Sequence, residues 1–176
     1  MRQAKGETPI EIPPLETSRI QKVRRIYARI MASEAGPLRP LMVIKPLGMP
    51  HRDEIISYIQ SQGVTIEAAH AIPDWHTFSL FLYFHDADGE QAAFKIARNM
   101  AFSEVEENEG LLLVLDAGVP EGKVMRIRRE IRDWYGEALA FMRYQGRDYL
   151  LRSNAIHASP FEDLERDCKV VRFLVG

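Results

Sequence analysis

The sequence predicts an α+β fold, a ferredoxin-like sandwich in which helices cover one face of an antiparallel sheet. Two observations lead to this prediction. Short apolar segments of strand length alternate with longer segments whose apolar residues recur at helical spacing. Their order is strand, helix, strand, helices, strand, helix, strand, which is βαββαβ with one additional helical insertion. A further amphipathic helix is predicted before the first strand.

The individual elements follow from apolar runs and from residues that start or stop helices. Strands are predicted at 41–44, 64–69, 111–115, 149–151 and 169–174. Helices are predicted at 53–62, 90–102 and 120–134, with another helical segment between Pro73 and a break at 86–89. Ser159 is a good N-cap for a short helix, and residues 137–149 are predicted to form a loop. The sheet would centre on 111–115, an uninterrupted apolar run.

The chain divides into three regions. Residues 1–15 contain charges and several prolines, which predict an extended or disordered lead. Residues 16–38 are predicted to form an amphipathic helix followed by a hinge rich in glycine and proline. Residues 39–176 form the main domain, which is long enough to bury a core of its own.

The N-terminal helix has an apolar stripe and a basic face. The stripe consists of Ile20, Val23, Tyr27 and Ile30, and the basic residues are Lys22, Arg24, Arg25 and Arg29. An isolated helix of this length is marginal in water, so the stripe is expected to pack on another surface. That surface is the chain's own domain, a second copy of the chain or a foreign partner.

Composition excludes several classes of protein. The 23 basic and 25 acidic residues give a net charge of −2, which provides no general attraction to nucleic acid or to an anionic membrane. The single cysteine, Cys168, excludes an internal disulfide framework and a cysteine-based zinc cluster. The apolar runs are far shorter than a membrane span, and the charged N-terminus does not resemble a signal peptide. These observations predict a cytoplasmic protein without membrane contact.

Two distant stretches contain residues suited to phosphate chemistry. In the first, the apolar run 41–44 leads directly into Lys45, whose ammonium group can reach an anion. In the second, residues 150–159 present His157, which can act as a ligand, a base or a nucleophile. Asn154 lies nearby as a neutral hydrogen-bonding group, and Arg126 and Arg143 offer forked donors that suit phosphate oxygens.

Both stretches resemble motifs of the nucleoside diphosphate kinase family. Residues 45–49, Lys-Pro-Leu-Gly-Met, are similar to the family's Lys-Pro-Asp-Gly-Val. Residues 154–159, Asn-Ala-Ile-His-Ala-Ser, are similar to Asn-Ile-Ile-His-Gly-Ser. The resemblance covers most of residues 39–175 and is specific at both ends but weak in the middle.

The resemblance implies a ping-pong reaction that moves the γ-phosphate of a nucleoside triphosphate to a nucleoside diphosphate. His157 would be the nucleophile, and Mg²⁺ would be held mainly by the nucleotide phosphates. The implied phosphate and nucleotide contacts are Lys45, Tyr83, Arg126, Arg143 and Asn154. The carboxylate that orients the family's histidine would have a shifted equivalent at Asp167 or Glu165. Family members usually assemble into oligomers, so a homo-oligomer is also expected.

Several departures from the family pattern favour other functions. Leu47 replaces the aspartate of the first motif, and Gly89 replaces an arginine. The family's Gly-x-Thr-x-Pro-x-x-Ser stretch is absent and is replaced by residues 128–134, with its threonine falling on or near Arg132. Ala158 replaces the glycine after the histidine. The alternative is a relative without catalytic activity that binds nucleotide or assembles with partners, and a third possibility is a scaffold docked through the basic helix 16–32.

Overall fold

The computed structural model describes residues 8–85 and 89–176, and these form an α+β structure with two sheets. The strands are β1 (Ile10–Glu11), β2 (Leu41–Ile44), β3 (Ile66–Ile72), β4 (Gly110–Leu115), β5 (Gly136–Tyr144), β6 (Arg147–Asn154) and β7 (Ile156–Ala158). The helices are α1 (Thr17–Ala32), α2 (Arg52–Ser61), α3 (Trp75–Leu82), α4 (Gly89–Val105), α5 (Glu121–Trp134) and α6 (Leu164–Leu174). The predicted lead at 1–7 and the predicted break at 86–88 lie outside the described residues. Among the described helices, none combines the length and apolar character needed to cross a bilayer.

The larger sheet has four antiparallel strands in the order β3-β4-β2-β7. β2 is central and is buried at every position, because it pairs with β4 on one side and with β7 on the other. The continuous apolar runs of β2 and β4 are typical of strands covered on both faces.

Helices pack on both faces of this sheet. On one face, Met42, Ile44 and Leu113 pack with buried residues of α2 and α5. On the other face, Leu41 and Val43 pack with buried residues of α1, α3 and α6. The prediction that helices cover one face only is therefore wrong. Alternate side chains of a strand point to opposite faces, so an apolar run such as 41–44 requires a cover on each side.

The smaller sheet has the order β1-β5-β6 and is built on a hairpin where a loop was predicted. The prediction for residues 137–149 is wrong because Ala140, Met142 and Tyr144 alternate with more exposed residues and form one buried face. Gln145 and Gly146 both have positive φ, 51° and 75°, as the mirror-image turns of two-residue hairpins require. The predicted strand 149–151 is part of the longer β6.

The predicted strand at 169–174 is also wrong, since these residues belong to α6. Leu164, Cys168 and Val171 are spaced by four and three residues, and they pack together with the face of the sheet that contains Val43. This helical spacing outweighs the β-branched pair at 170–171. The fourth strand of the larger sheet is instead the three-residue β7.

The N-terminal helix α1 packs on the domain of its own chain. Ile30 is fully buried among residues that include Trp75, Phe78 and Leu164. Tyr27 makes an edge-to-face contact with Phe84, with ring centroids 5.3 Å apart. These contacts give the apolar residues of α1 a surface within the described chain.

Truncating Ile30 should test how strongly α1 contributes to stability. Ile30→Ala is expected to lower the free energy of unfolding by about 2–5 kcal/mol, the usual cost of removing a buried isoleucine side chain. The measurement is urea unfolding followed by circular dichroism. Arg25→Ala, an exposed position on the same helix, should change stability by less than about 0.5 kcal/mol. Equal effects of the two changes would show that α1 does not depend on its apolar contacts.

Candidate active site

Pairing between β2 and β7 brings the two motif stretches together. Val43 lies opposite His157 and Ile44 lies opposite Ile156. Beyond the paired residues, the backbone N–H of Lys45 donates to the carbonyl oxygen of Ala155 at 2.9 Å. The lysine that ends one strand therefore lies beside the backbone that leads to the histidine.

Gly48 allows this close approach. It lies in the 3₁₀ turn Pro46–His51 that follows Lys45. A Cβ atom at this position would come within 2.5 Å of the Ala155 carbonyl oxygen and within 3.0 Å of Ile44 Cγ2. Only a residue without a side chain fits between the two segments, so the glycine of the first motif is required by the second.

His157 lies between a tyrosine and an aspartate. Its Nδ1 is 3.3 Å from the hydroxyl oxygen of Tyr83, at the C-terminal end of α3. Its Nε2 is 3.5 Å from Oδ2 of Asp167 on α6, a contact longer than a well-formed hydrogen bond. Asp167 is fully buried and His157 is 8% exposed. The predicted alternative, Glu165, is exposed and pairs with Lys169 instead.

The pKa shifts of His157, Asp167 and Tyr83 indicate which of these side chains are protonated. Burial lowers the pKa of His157, and the neighbouring Asp167 opposes that shift only in part. Burial also acts to raise the pKa of Asp167, but His157, Ser159 and the charge of Arg166 outweigh it and lower that pKa. Burial raises the pKa of Tyr83. At neutral pH the imidazole is therefore uncharged, with Nε2–H directed to the Asp167 carboxylate and Nδ1 accepting from the Tyr83 hydroxyl.

Tyr83 also lines a cavity of about 280 Å³. Of the described residues that line it, five are cationic and one is acidic. The cations are Lys45, Lys95, Arg98, Arg132 and Arg152, and the acid is Glu106. The other lining residues are Trp75, Ser79, Leu80, Tyr83, Asn99, Phe102 and Asn154. This excess of positive charge favours an anionic ligand.

Lys45 is strongly perturbed by its burial. Burial lowers its pKa to about 8, with Glu106 opposing the shift and Arg132 and Arg98 adding to it. Two nearby arginines and a partly desolvated ammonium group are unfavourable together, and a bound anion would relieve that cost.

The structure brings together some of the predicted site residues and leaves others apart. Lys45, Tyr83 and Asn154 line the cavity, and the Asn154 Oδ1 accepts from the backbone N–H of Ile156 at 3.3 Å. His157 contacts Tyr83 but is not one of the described residues that line the cavity.

The two predicted arginines lie elsewhere. Arg126 is on α5 and is paired with Glu130 and with Gln62. Arg143 is on β5 and is paired with Asp148 and with Glu11. Both side chains are engaged in ion pairs, and neither lines the cavity.

Other cations occupy the cavity wall where Arg126 and Arg143 were expected. Arg132 lies at the C-terminal end of α5, where its Nε donates to the Ile156 carbonyl at 3.3 Å. Arg98 comes from α4, and Arg152 comes from β6 of the unexpected hairpin. The family resemblance does not indicate Arg152, which belongs to the hairpin that the structure forms in place of the predicted loop. Arg132 could have been identified from its place at the end of the helix.

Among residues 8–85 and 89–176, no group of three or more histidine, cysteine or carboxylate side chains is placed to hold a metal ion. The described residues that line the cavity include one carboxylate and five cations, a donor set that suits an anion better than a cation.

Comparisons with known proteins assign no family to the chain. No family model matches it, and no curated protein matches it significantly.

The affinity of the cavity for an anion should depend on pH through Lys45. Its ammonium group loses a proton as the pH rises through about 8, so sulfate binding should weaken above that pH. A bound anion raises the pKa of Lys45, so the loss should begin somewhat higher. Calorimetric titration with sulfate, whose own charge is constant in this range, measures the effect. In Lys45→Arg, whose side chain keeps its charge, sulfate affinity should not fall in this pH range. If the variant lost affinity with pH as the unaltered chain does, the pH dependence would belong to another group.

Proposed function

We propose that the protein is a nucleoside diphosphate kinase-like phosphotransferase in which His157 accepts the γ-phosphate of a nucleoside triphosphate. The observation that supports this most is the cationic cavity whose wall, at Tyr83, adjoins the Nδ1 atom of a buried, neutral histidine. A nucleophile, donors for phosphate oxygens and a group that orients the nucleophile are the parts that such a reaction needs.

The size of the cavity favours a phosphate chain inside it and the remainder of the nucleotide outside. Sites for small molecules usually measure roughly 300–1,000 Å³, and this cavity, at about 280 Å³, falls just below that range. The cations would contact the phosphate oxygens, while the sugar and base would extend through the opening. Mg²⁺ would arrive with the nucleotide and neutralise part of its charge, since the chain's own residues supply cations.

Phosphoryl transfer in this site would use the proton arrangement already described. The Nδ1 lone pair attacks the γ-phosphorus, the bond between that phosphorus and the bridging oxygen breaks, and the bridging electron pair leaves with the diphosphate. Positive charge develops on the imidazole and is stabilised through Nε2–H by Asp167. Because the Tyr83 hydroxyl contacts Nδ1, the Tyr83 side chain must move aside as the phosphate approaches. The reverse steps return the phosphoryl group to a nucleoside diphosphate.

We further infer that the larger sheet is ferredoxin-like. When its four strands are numbered in chain order, their order across the sheet is 2-3-1-4, and neighbouring strands are all antiparallel. This arrangement supports the assignment. The hairpin of β5 and β6 and the helices of the second face would then be additions to that unit. A homo-oligomeric state and a cytoplasmic location remain predictions of the sequence and its resemblance.

Phosphohistidine formation tests the proposed chemistry directly. Incubation with γ-labelled ATP and Mg²⁺ should leave a label on the protein that is labile in acid and stable in alkali. His157→Ala should abolish the label, whereas His70→Ala, on the exposed part of β3, should retain it. Label that survives acid, or that persists in His157→Ala, would rule out His157 as the nucleophile.

The same experiment addresses a second candidate function, nucleotide binding without chemistry. The observation that favours it is the contact between Tyr83 and Nδ1, which blocks the attacking atom. If this contact is permanent, the protein should bind ATP without becoming labelled. Tyr83→Phe, which removes the hydroxyl alone, should then restore labelling, so the two functions give opposite results for the unaltered chain.

Two arginines of the same helix test where phosphate binds. If Arg132 contacts the phosphate chain, Arg132→Ala should weaken ATP binding by about 1.5–3 kcal/mol, the usual scale for hydrogen bonds to charged groups. Arg126→Ala should have little effect, because Arg126 lies outside the cavity and pairs with Glu130. Equilibrium binding of ATP to the two variants gives the comparison. A larger loss in Arg126→Ala would place the phosphate site where the family resemblance had indicated.

A further inference from the structure

Arg166 binds the carboxylate of Asp167 through the oxygen atom that does not face His157. It precedes Asp167 in the first turn of α6, and its side chain is 18% exposed. Its Nε and Nη2 donate to Oδ1 of Asp167 at 3.1 and 2.9 Å. Its Nη1 donates to Oδ1 of Asp163 at 3.1 Å. One oxygen of Asp167 thus receives two bonds from Arg166, and the other faces His157.

We propose that Arg166 is a positioning residue for His157: it orients the Asp167 carboxylate and limits the negative charge that the imidazole meets. This role rests on the proposed function of His157 as a nucleophile. Arg166 touches neither the cavity nor the histidine, so it would act only through Asp167.

The contact distances support this division of roles. Asp167 is fully buried, and a buried carboxylate is stable only when it is paired. Both shorter contacts go to Arg166, and the contact with Nε2 of His157 is 3.5 Å. Neither Nε2 nor Oδ2 makes a well-formed hydrogen bond with any described residue. The arginine therefore satisfies the carboxylate and leaves a weak, directed contact for the histidine.

This arrangement favours a reactive histidine at neutral pH. A carboxylate bound to the imidazole alone would attract a proton to the pair and would charge the ring, which removes the Nδ1 lone pair. Burial already favours the neutral ring. By sharing the carboxylate, Arg166 adds to this effect, while Oδ2 stays available to stabilise the positive charge that develops during transfer. The other charged or titratable groups that act on His157 are Tyr83 of α3, Lys45 after β2 and Arg132 of α5, and Arg166→Gln alters none of them.

The test is a pH titration of the histidine rings by NMR in the full chain. The chain has five histidines, and the resonance of His157 is identified by its loss in His157→Gln. In Arg166→Gln, loss of the cation should raise the pH at which the His157–Asp167 pair releases its proton by at least about half a pH unit. The other four histidines provide internal references. Arg172→Gln, an equal change of charge at an exposed position on the same helix, should leave the titration unchanged.

A second variant covers the case in which Arg166→Gln does not fold. Arg166→Lys keeps the charge but cannot make both bonds to one oxygen, so a smaller upward shift is expected. A folded Arg166→Gln, or failing that a folded Arg166→Lys, whose His157 titrates as in the unaltered chain would overturn the proposal. So would an equal shift in Arg172→Gln. Because the titration needs no nucleotide, its result is independent of the labelling of His157. Absence of label alone would count against the phosphotransferase proposal. Absence of a titration shift alone would count against the role of Arg166.

Discussion

The site depends on the pairing of two short strands that are more than a hundred residues apart in the chain. β2 and β7 share a three-residue register, and the Lys45–Ala155 backbone hydrogen bond extends it by one step. Pairing in a sheet determines the face to which each side chain points, so the register places Val43 and His157 on the same face. That face is covered by α3 and α6, which contribute Tyr83 and Asp167. A register shift by one residue would move His157 to the opposite face, among the apolar residues of α2 and α5.

Two electrostatic environments meet at Tyr83. On the side of the cavity, the described lining residues comprise five cations and one carboxylate, and the repulsion among the cations favours an anion. On the buried side, burial keeps His157 neutral, and its Nε2 faces the carboxylate of Asp167. The tyrosine, whose hydroxyl stays protonated, separates the two. The arrangement keeps Asp167 away from the cations of the cavity, which would otherwise compete with the histidine for its charge.

The sequence allowed the fold to be predicted where one physical effect dominated and failed where two effects competed. The uninterrupted apolar runs at 41–44 and 111–115 predict buried strands, and the structure has β2 and β4 there. The segment 169–174 combines a β-branched pair, which favours a strand, with helical spacing back to Leu164, and the structure makes it part of α6. The arginines were misplaced for a different reason: side chains reach the cavity from α4, α5 and β6, and only the tertiary arrangement determines which ones do. Arg152 belongs to a hairpin that alternation in 140–144 could have indicated.

The contact between Gly48 and Ala155 has a consequence for how freely this chain can vary. Gly48 has no reactive group, and it is not one of the described residues that line the cavity. Even so, the smallest possible side chain would collide with the backbone of the segment that leads to His157. A library randomised at this codon and selected for an intact site should therefore return glycine alone. Tolerance to substitution is set here by the space between two backbones, and a residue with no reactive group is among the least replaceable in the protein.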